Sequence, residues 1–268
     1  MYRSMPFTRR SLAATVVATV LAAIAGPLAA QAAQSAARAV SAGGACAAGE
    51  TTLKVGDPRL ASFVPTPVDT VDMVMERGGQ VRNGLFTQQT VRTRRDGHAA
   101  WLTVQVSQTP MGPSLDSVWV DARSWAPIRH VSTFPHGRVD VTYAGGRVTG
   151  SMVRNDTSST VDQALDPGIF ELAVSGDVMS AVPLCPGSVV HVSSYDPAVG
   201  MRDSEFHLLG EESVEIGGRQ YTAFAVTTTV NQRTVRLYLD PATRHLFAWE
   251  AEGQGVKMRG TSRFLPGR

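Results

Sequence analysis

The sequence predicts a mainly β fold: two tandem curved antiparallel sheets, half-barrel-like meanders, with a short connecting helix. Three observations predict it. The first is an internal echo, in which Val118-Trp119-Val120-Asp121-Ala122-Arg123-Ser124-Trp125-Ala126-Pro127-Ile128 returns as Leu237-Tyr238-Leu239-Asp240-Pro241-Ala242-Thr243-Arg244-His245-Leu246-Phe247. Each copy runs an apolar-aromatic-apolar triplet into an Asp, with a Ser or Thr three positions later, where the carboxylate can accept backbone N–H groups of a turn. The second is punctuation by tight-turn pairs: Asp96-Gly97 before Trp101, Gly217-Gly218 before Tyr221, and His136-Gly137 and Gly145-Gly146 between further strands. The third is period-two alternation, as in Leu102, Val104 and Val106 against Thr103 and Gln105.

Taken in order, residues 1–32 read as an export signal. Arg3, Arg9 and Arg10 precede an uncharged Ala/Val/Leu run from Leu12 to Leu28, and Ala30-Gln31-Ala32 is a small-x-small cleavage site. Thr8-Arg9-Arg10-Ser11-Leu12 also resembles the twin-arginine motif, so the general (Sec) and twin-arginine routes both stay open. The early Pro27 and the Ala-rich exit argue against a retained membrane span, and the expected location is periplasmic or extracellular. Residues 33–68 read as a flexible leader followed by an extended segment broken by Pro58, Pro65 and Pro67.

The first meander is expected over 69–156, with strands near 70–76, 85–94, 99–108, 115–121, 128–134, 139–143 and 148–154. Residues 157–187 form a linker, and Phe170, Val174, Val178, Ala181 and Val182 recur within it at helical spacing up to Pro183, predicting a short helix near 172–182. The second meander follows over 188–265.

Composition excludes some partners. Against 25 Lys+Arg stand 23 Asp+Glu, and removing Arg3, Arg9 and Arg10 with the signal leaves 22 against 23. No nucleic-acid face follows from that balance, and the densest basic group, Arg92, Arg94 and Arg95, reads as the outward side of a strand. Two cysteines in an exported chain, Cys46 and Cys185, predict a disulfide tying the N-terminal segment to the link between the meanders.

The order of an export signal, a meander carrying Val120-Asp121, Phe170-Glu171-Leu172 running to Val182-Pro183-Leu184 and Gly187, and a second meander carrying Leu239-Asp240-Pro241 resembles an uncharacterised family of bacterial envelope proteins. That family is similar in fold to the periplasmic lipoprotein carriers, the LolA-like group. The resemblance covers about residues 70–264 and implies a strongly curved antiparallel sheet forming an unclosed barrel lidded by helix. The carriers have one such half-barrel, so the duplication departs from them.

No catalytic constellation is written in the chain. His98, His130, His136, His191, His207 and His245 are scattered without metal-ligand spacing, and no nucleophile elbow or phosphate-cradling glycine loop is present. No enzyme activity, cofactor or metal is therefore expected. The candidate ligand-binding residues are Trp101, Trp119, Tyr238 and Trp249, which simple alternation sets together on the face opposite Leu102, Val120 and Leu237. A curved sheet with bulky groups on that face suits a lipid or a lipoprotein acyl chain. The competing expectation is a scaffold or interaction module that binds an envelope protein and no small molecule.

Overall fold

The computed structural model describes residues 46–109 and 112–267. The expected export signal, and the leader up to residue 45, lie outside these residues. The first meander comprises β2 (Val68–Arg77), β3 (Gln80–Arg95), β4 (His98–Thr109), β5 (Gly112–Asp121), β6 (Pro127–Phe134), β7 (Gly137–Ala144), β8 (Arg147–Arg154) and β9 (Thr157–Ala164). The second comprises β11 (Val189–Asp196), β12 (Gly200–Ile216), β13 (Arg219–Val230), β14 (Arg233–Leu239), β15 (Leu246–Gly253) and β16 (Val256–Ser262). Short strands β1 (Glu50–Leu53) and β10 (Phe170–Glu171), 3-10 turns at Pro58–Ser62 and Leu172–Val174 and a single short α-helix, α1 (Ser175–Met179), complete the described elements.

The two meanders fuse into one curved, open sheet of order β1-β11-β12-β13-β14-β15-β16-β2-β3-β4-β5-β6-β7-β8-β9, with β10 beside β11. The seam is the antiparallel pairing of β16 with β2, from Val256 opposite Arg77 to Ser262 opposite Val71. Joining them there removes two free edges that separate sheets would expose. Tight turns hold the hairpins: Asp96 and Gly97, Gly145 and Gly146, and Gly217 and Gly218 all have positive φ, the geometry that matches strand twist.

The curl of the sheet follows from its core. Val118 and Val120 of β5 share one buried cluster with Val190 and Val192 of β11, although the strand order sets β5 and β11 far apart. Phe170, Val174, Val178, Met179 and Val182, from the segment between β9 and β11, fill the space between them. Beyond that cluster, Val139, Val141 and Val148 of β7 and β8 meet Tyr195 of β11 through Ile169. The sheet therefore wraps around residues 169–187, here called the strap, and its two limbs meet across the strap's root.

Three stretches differ from expectation. Thr157–Ala164, expected as linker, is an edge strand; seven of its eight residues are exposed, so it shows none of the apolar alternation that marks half-buried strands. Glu50–Leu53, at the end of the expected leader, pairs in parallel with β11 and buries Leu53. The expected helix over 172–182 contracts to a 3-10 turn at Leu172–Val174 and the five residues of α1. No side-chain cap starts α1, and Gly176 sits in its first turn, both of which weaken a longer helix.

Candidate functional site

Beside the apolar core, the strap meets a polar band on the inner face of the first meander and an aliphatic patch on that of the second. On the first meander, Gln88, Gln105 and Asp116 are successive cross-strand partners and so lie on one face, which alternation shares with Val118 and His130. The strap's polar atoms meet this band. Gln88 Nε2 donates to Asp177 Oδ1 and Oδ2 at 3.1 and 3.0 Å. Gln105 Nε2 donates to Gln88 Oε1 at 2.8 Å and to the Ala173 carbonyl at 2.9 Å. Burial pushes the Asp177 carboxyl up to about 7, with Asp69 adding to the rise and the Gln88 hydrogen bonds opposing it.

At the strap's root the band ends in a buried ionisable group. His130 of β6 is 2% exposed and Glu171 of β10 is fully buried. His130 Nε2 lies 3.4 Å from Asp116 Oδ1, and Nδ1 lies 2.9 Å from Glu171 Oε1. The latter contact is out of line for a hydrogen bond, so neither atom has a hydrogen-bond partner among the described residues. Glu171 Oε2 accepts the Ala173 N–H at 2.6 Å. Asp196, at the end of β11, accepts the Ala198 and Val199 N–H groups through Oδ1 at 2.7 and 3.0 Å. Burial opposes charging of His130, but Asp116, Glu171 and Asp196 outweigh it and raise the imidazole to about 10. Burial also raises the Glu171 carboxyl above its ordinary value, against the pull of His130. Beside them the Tyr143 ring packs edge-on against Tyr195 at 6.4 Å, and its buried hydroxyl has no hydrogen-bond partner among the described residues.

Around Met179 and Leu184 the strap meets the second meander through hydrocarbon. Met179 and Leu184 face Leu208, Val226, Leu237, Leu239 and Leu246, and together with Gly176 they enclose a cavity of about 20 Å³. That is room for roughly one water, against the several hundred Å³ of a typical ligand site. The far end of the strap is fastened by the Cys46–Cys185 disulfide and by Arg244 Nη1 donating to the Ala181 carbonyl at 3.4 Å.

The four aromatics picked from the sequence do not share a face. Trp101 pairs with Val120, and Trp249 with Leu237, so both lie on the inner side. Trp119 pairs with Leu102 and lies on the outer side, as does Tyr238, which neighbours Leu237 along β14. The expectation fails because it counted alternation straight across separate strands, whereas hairpin register fixes which residues oppose each other. Trp101 is 8% exposed within the main core, with the Arg92 guanidinium 5.8 Å from its ring centre. Trp119 is half-buried under Arg95 at 4.7 Å. Tyr238 is buried in an outer cluster with Ala223, Phe247 and Ala248. Trp249 lies flat over Gly260, where an added Cβ would come 2.1 Å from its Nε1.

Sequence reasoning passed over His130, Glu171 and Asp196, because three strands far apart in the chain bring them together. One signal was present: Glu171 stands between Phe170 and Leu172, where a carboxylate with apolar neighbours must find a partner on folding.

A family model described as a protein of unknown function (DUF3108) matches residues 61–253. A comparison with curated proteins found no match. Among solved structures, a DUF1329 family protein from Desulfovibrio piger is similar at 12% identity with a TM-score of 0.28, covering 75% of this chain and 86% of that one.

Proposed function

The chain belongs to the DUF3108 family of proteins of unknown function, and from that premise we propose that it is an exported, non-enzymatic envelope protein that binds an apolar chain beneath its strap. The ligand class is a lipid or the acyl chain of a lipoprotein. One observation carries this reading: Gln88 and Gln105 of the first meander hydrogen-bond Asp177 and the Ala173 carbonyl of the strap, whereas Met179 and Leu184 of the strap lie on a patch of aliphatic side chains of the second. With its root paired to β11 and its far end held by the disulfide, the strap can lift at its middle, where release of the Gln88 and Gln105 contacts frees Met179 and Leu184. Lifting Met179 and Leu184 would bare Leu208, Val226, Leu237, Leu239 and Leu246, the surface an acyl chain fills. The 20 Å³ cavity then marks the closed state of the site, in which the strap occupies the ligand's place.

Export is supported by the Cys46–Cys185 bridge, since such bonds persist in oxidising compartments. Among the described residues no helix is long and apolar enough to cross a membrane. The resemblance to lipoprotein carriers favours an acyl chain over other apolar ligands.

Mass spectrometry of lipid extracts from the purified, oxidised protein tests the reading, together with uptake of a fluorescent fatty acid. Co-purifying lipid, or saturable uptake that Leu184→Trp abolishes by filling the cavity, is the expected result. A protein that carries no lipid and takes up no acyl probe would remove the ligand.

A further inference from the structure

We propose that His130, Glu171 and Asp196 form a binding site for a divalent transition-metal ion, with zinc the best match to their nitrogen and oxygen donors. One ligand atom from each of the three lies within 4.8 Å of the others. His130 Nδ1 and Glu171 Oε1 stand 2.9 Å apart. Metal–ligand distances near 2.0–2.1 Å set neighbouring donors on one ion ~3 Å apart, so that pair is already at ligand spacing. A small inward shift of the Asp196 carboxylate completes the set.

The arrangement behind the ligands points the same way. A metal-binding histidine usually gives its second ring nitrogen to a carboxylate, and ligating carboxylates are themselves held by hydrogen bonds. His130 has Asp116 at Nε2. Glu171 is held by the Ala173 N–H through Oε2, and Asp196 by the Ala198 and Val199 N–H groups through Oδ1. Each residue thus has one polar atom fixed from behind, and for His130 and Glu171 the other is buried without a hydrogen bond. A simple His–Glu ion pair does not explain that. It would gain from an in-line N–H···O bond, and buried polar atoms left unsatisfied cost on the order of 1–3 kcal/mol each. A cation between the donors, displacing the imidazole's Nδ1 proton to solvent, satisfies both.

Three protein ligands leave a fourth position for water, and the Tyr143 hydroxyl, buried without a hydrogen-bond partner among the described residues and within electrostatic reach of Glu171 and Asp196, is the group to hold it. The ion would join β6, β10 and β11, clamping the strap's root where the sheet's limbs meet. This site is separate from the aliphatic patch beneath the strap, so it stands whether or not an apolar ligand binds there.

The test uses the oxidised protein stripped with a chelator, titrated with zinc by calorimetry and with cobalt by visible absorption. The expected result is one tightly held equivalent, a low-symmetry cobalt spectrum and a rise in Tm on loading. Asp196→Asn should weaken zinc at least tenfold while the stripped protein still unfolds cooperatively, and Glu171→Gln should weaken it more strongly. Asp196 is only partly buried, so its variant remains informative even if Glu171→Gln does not fold. Failure of the stripped protein to take up either metal overturns the proposal. So does uptake that Asp196→Asn leaves at full affinity, which would assign the metal to the exposed His191, Glu205 and His207 instead.

Discussion

Trp125 and Arg244 hold the same left-handed backbone conformation, φ 63° and 61°, at equivalent corners of the two meanders. The match extends around both turns. Trp125 and Arg244 donate their N–H groups to the carbonyls of Asp121 and Asp240, and each Asp N–H closes the turn on the carbonyl of Ala126 or His245. A non-glycine residue at positive φ is uncommon, so its recurrence marks a duplicated device. The side chains have diverged: Trp125 is fully buried in the main core against Phe63, while Arg244 reaches the strap at Ala181. Trp125→Ala is therefore expected to cost ~3–5 kcal/mol in urea unfolding, in the range of buried aromatic truncations. A loss below about 1 kcal/mol would mean the corner is not a core element.

The two aspartates should differ in a readable way. Asp121 Oδ1 accepts three hydrogen bonds, from the Arg123 and Ser124 N–H groups and the Ser124 hydroxyl, whereas Asp240 Oδ1 accepts two, the second stretched to 3.4 Å. Charge-assisted bonds are the stronger kind. Asp121→Ala is expected to destabilise by about 2 kcal/mol and Asp240→Ala by about 1. Equal losses would show that burial of the surrounding turn, and not the bond count, sets the cost.

The disulfide spans 139 residues and fastens the strap's far end beside β1. Closing a loop of that length lowers chain entropy by an amount worth about 5 kcal/mol in the simplest treatment, with measured values often smaller. Replacing both Cys46 and Cys185 by Ala should lower stability by roughly 2–5 kcal/mol and loosen the start of β1, where Glu50 and Thr51 lack the core burial that holds Leu53. Hydrogen exchange of the Thr51–Leu53 amides reads the second effect. Protection there equal to that of β12 would show that β1 docks without the bridge.

Trp101 and Trp249 share the inner face but not the same support. Trp101 packs in the main core, and Trp249 is half-buried against the bare backbone of Gly260. Trp101→Ala should cost ~3–5 kcal/mol and Trp249→Ala about 1–2, measured as denaturant midpoints at constant slope. If Trp249→Ala proves the costlier, the stack on Gly260 is a core contact.

What the sequence made legible has a local cause. Turns at Asp96-Gly97 and Gly145-Gly146, and the paired Asp corners, announce themselves because backbone sign and carboxylate capping are decided within four residues. The Cys46–Cys185 pairing was legible from compartment and count. The faces of Trp101 and Trp119 were not, because the β4–β5 register that sets Trp101 opposite Val120 and Trp119 opposite Leu102 is fixed by the connection between the strands, and counting along one strand is silent about its neighbour. Strand β9 was hidden by polarity on both faces, and the seam of β16 with β2 by its separation in the chain. His130, Glu171 and Asp196 belong with these long-range features: their meeting depends on how far the sheet curls around the strap.

The last prediction concerns Asp177, the strap's polar latch to Gln88. Burial raises its carboxyl to about 7, above the ordinary value of 3.8 that the unfolded chain retains. Below about pH 4 the group is protonated in both states and carries no pH dependence. Between about pH 4 and 7 the folded protein holds a proton that the unfolded chain has lost, so stability falls as pH rises through this window, and above 7 the loss is complete. The shift would set an upper bound near 4 kcal/mol, which partial solvent access to the side chain reduces to about 1–2. Asp177→Asn removes the titration yet keeps an oxygen that can accept from Gln88 Nε2. The variant should match the wild type near pH 4 and exceed its stability by about 1–2 kcal/mol at pH 7.5, as read from urea unfolding at the two values. A variant less stable than the wild type at pH 7.5 would mean that the ionised carboxylate, with both oxygens bound to Gln88, is what holds the strap down.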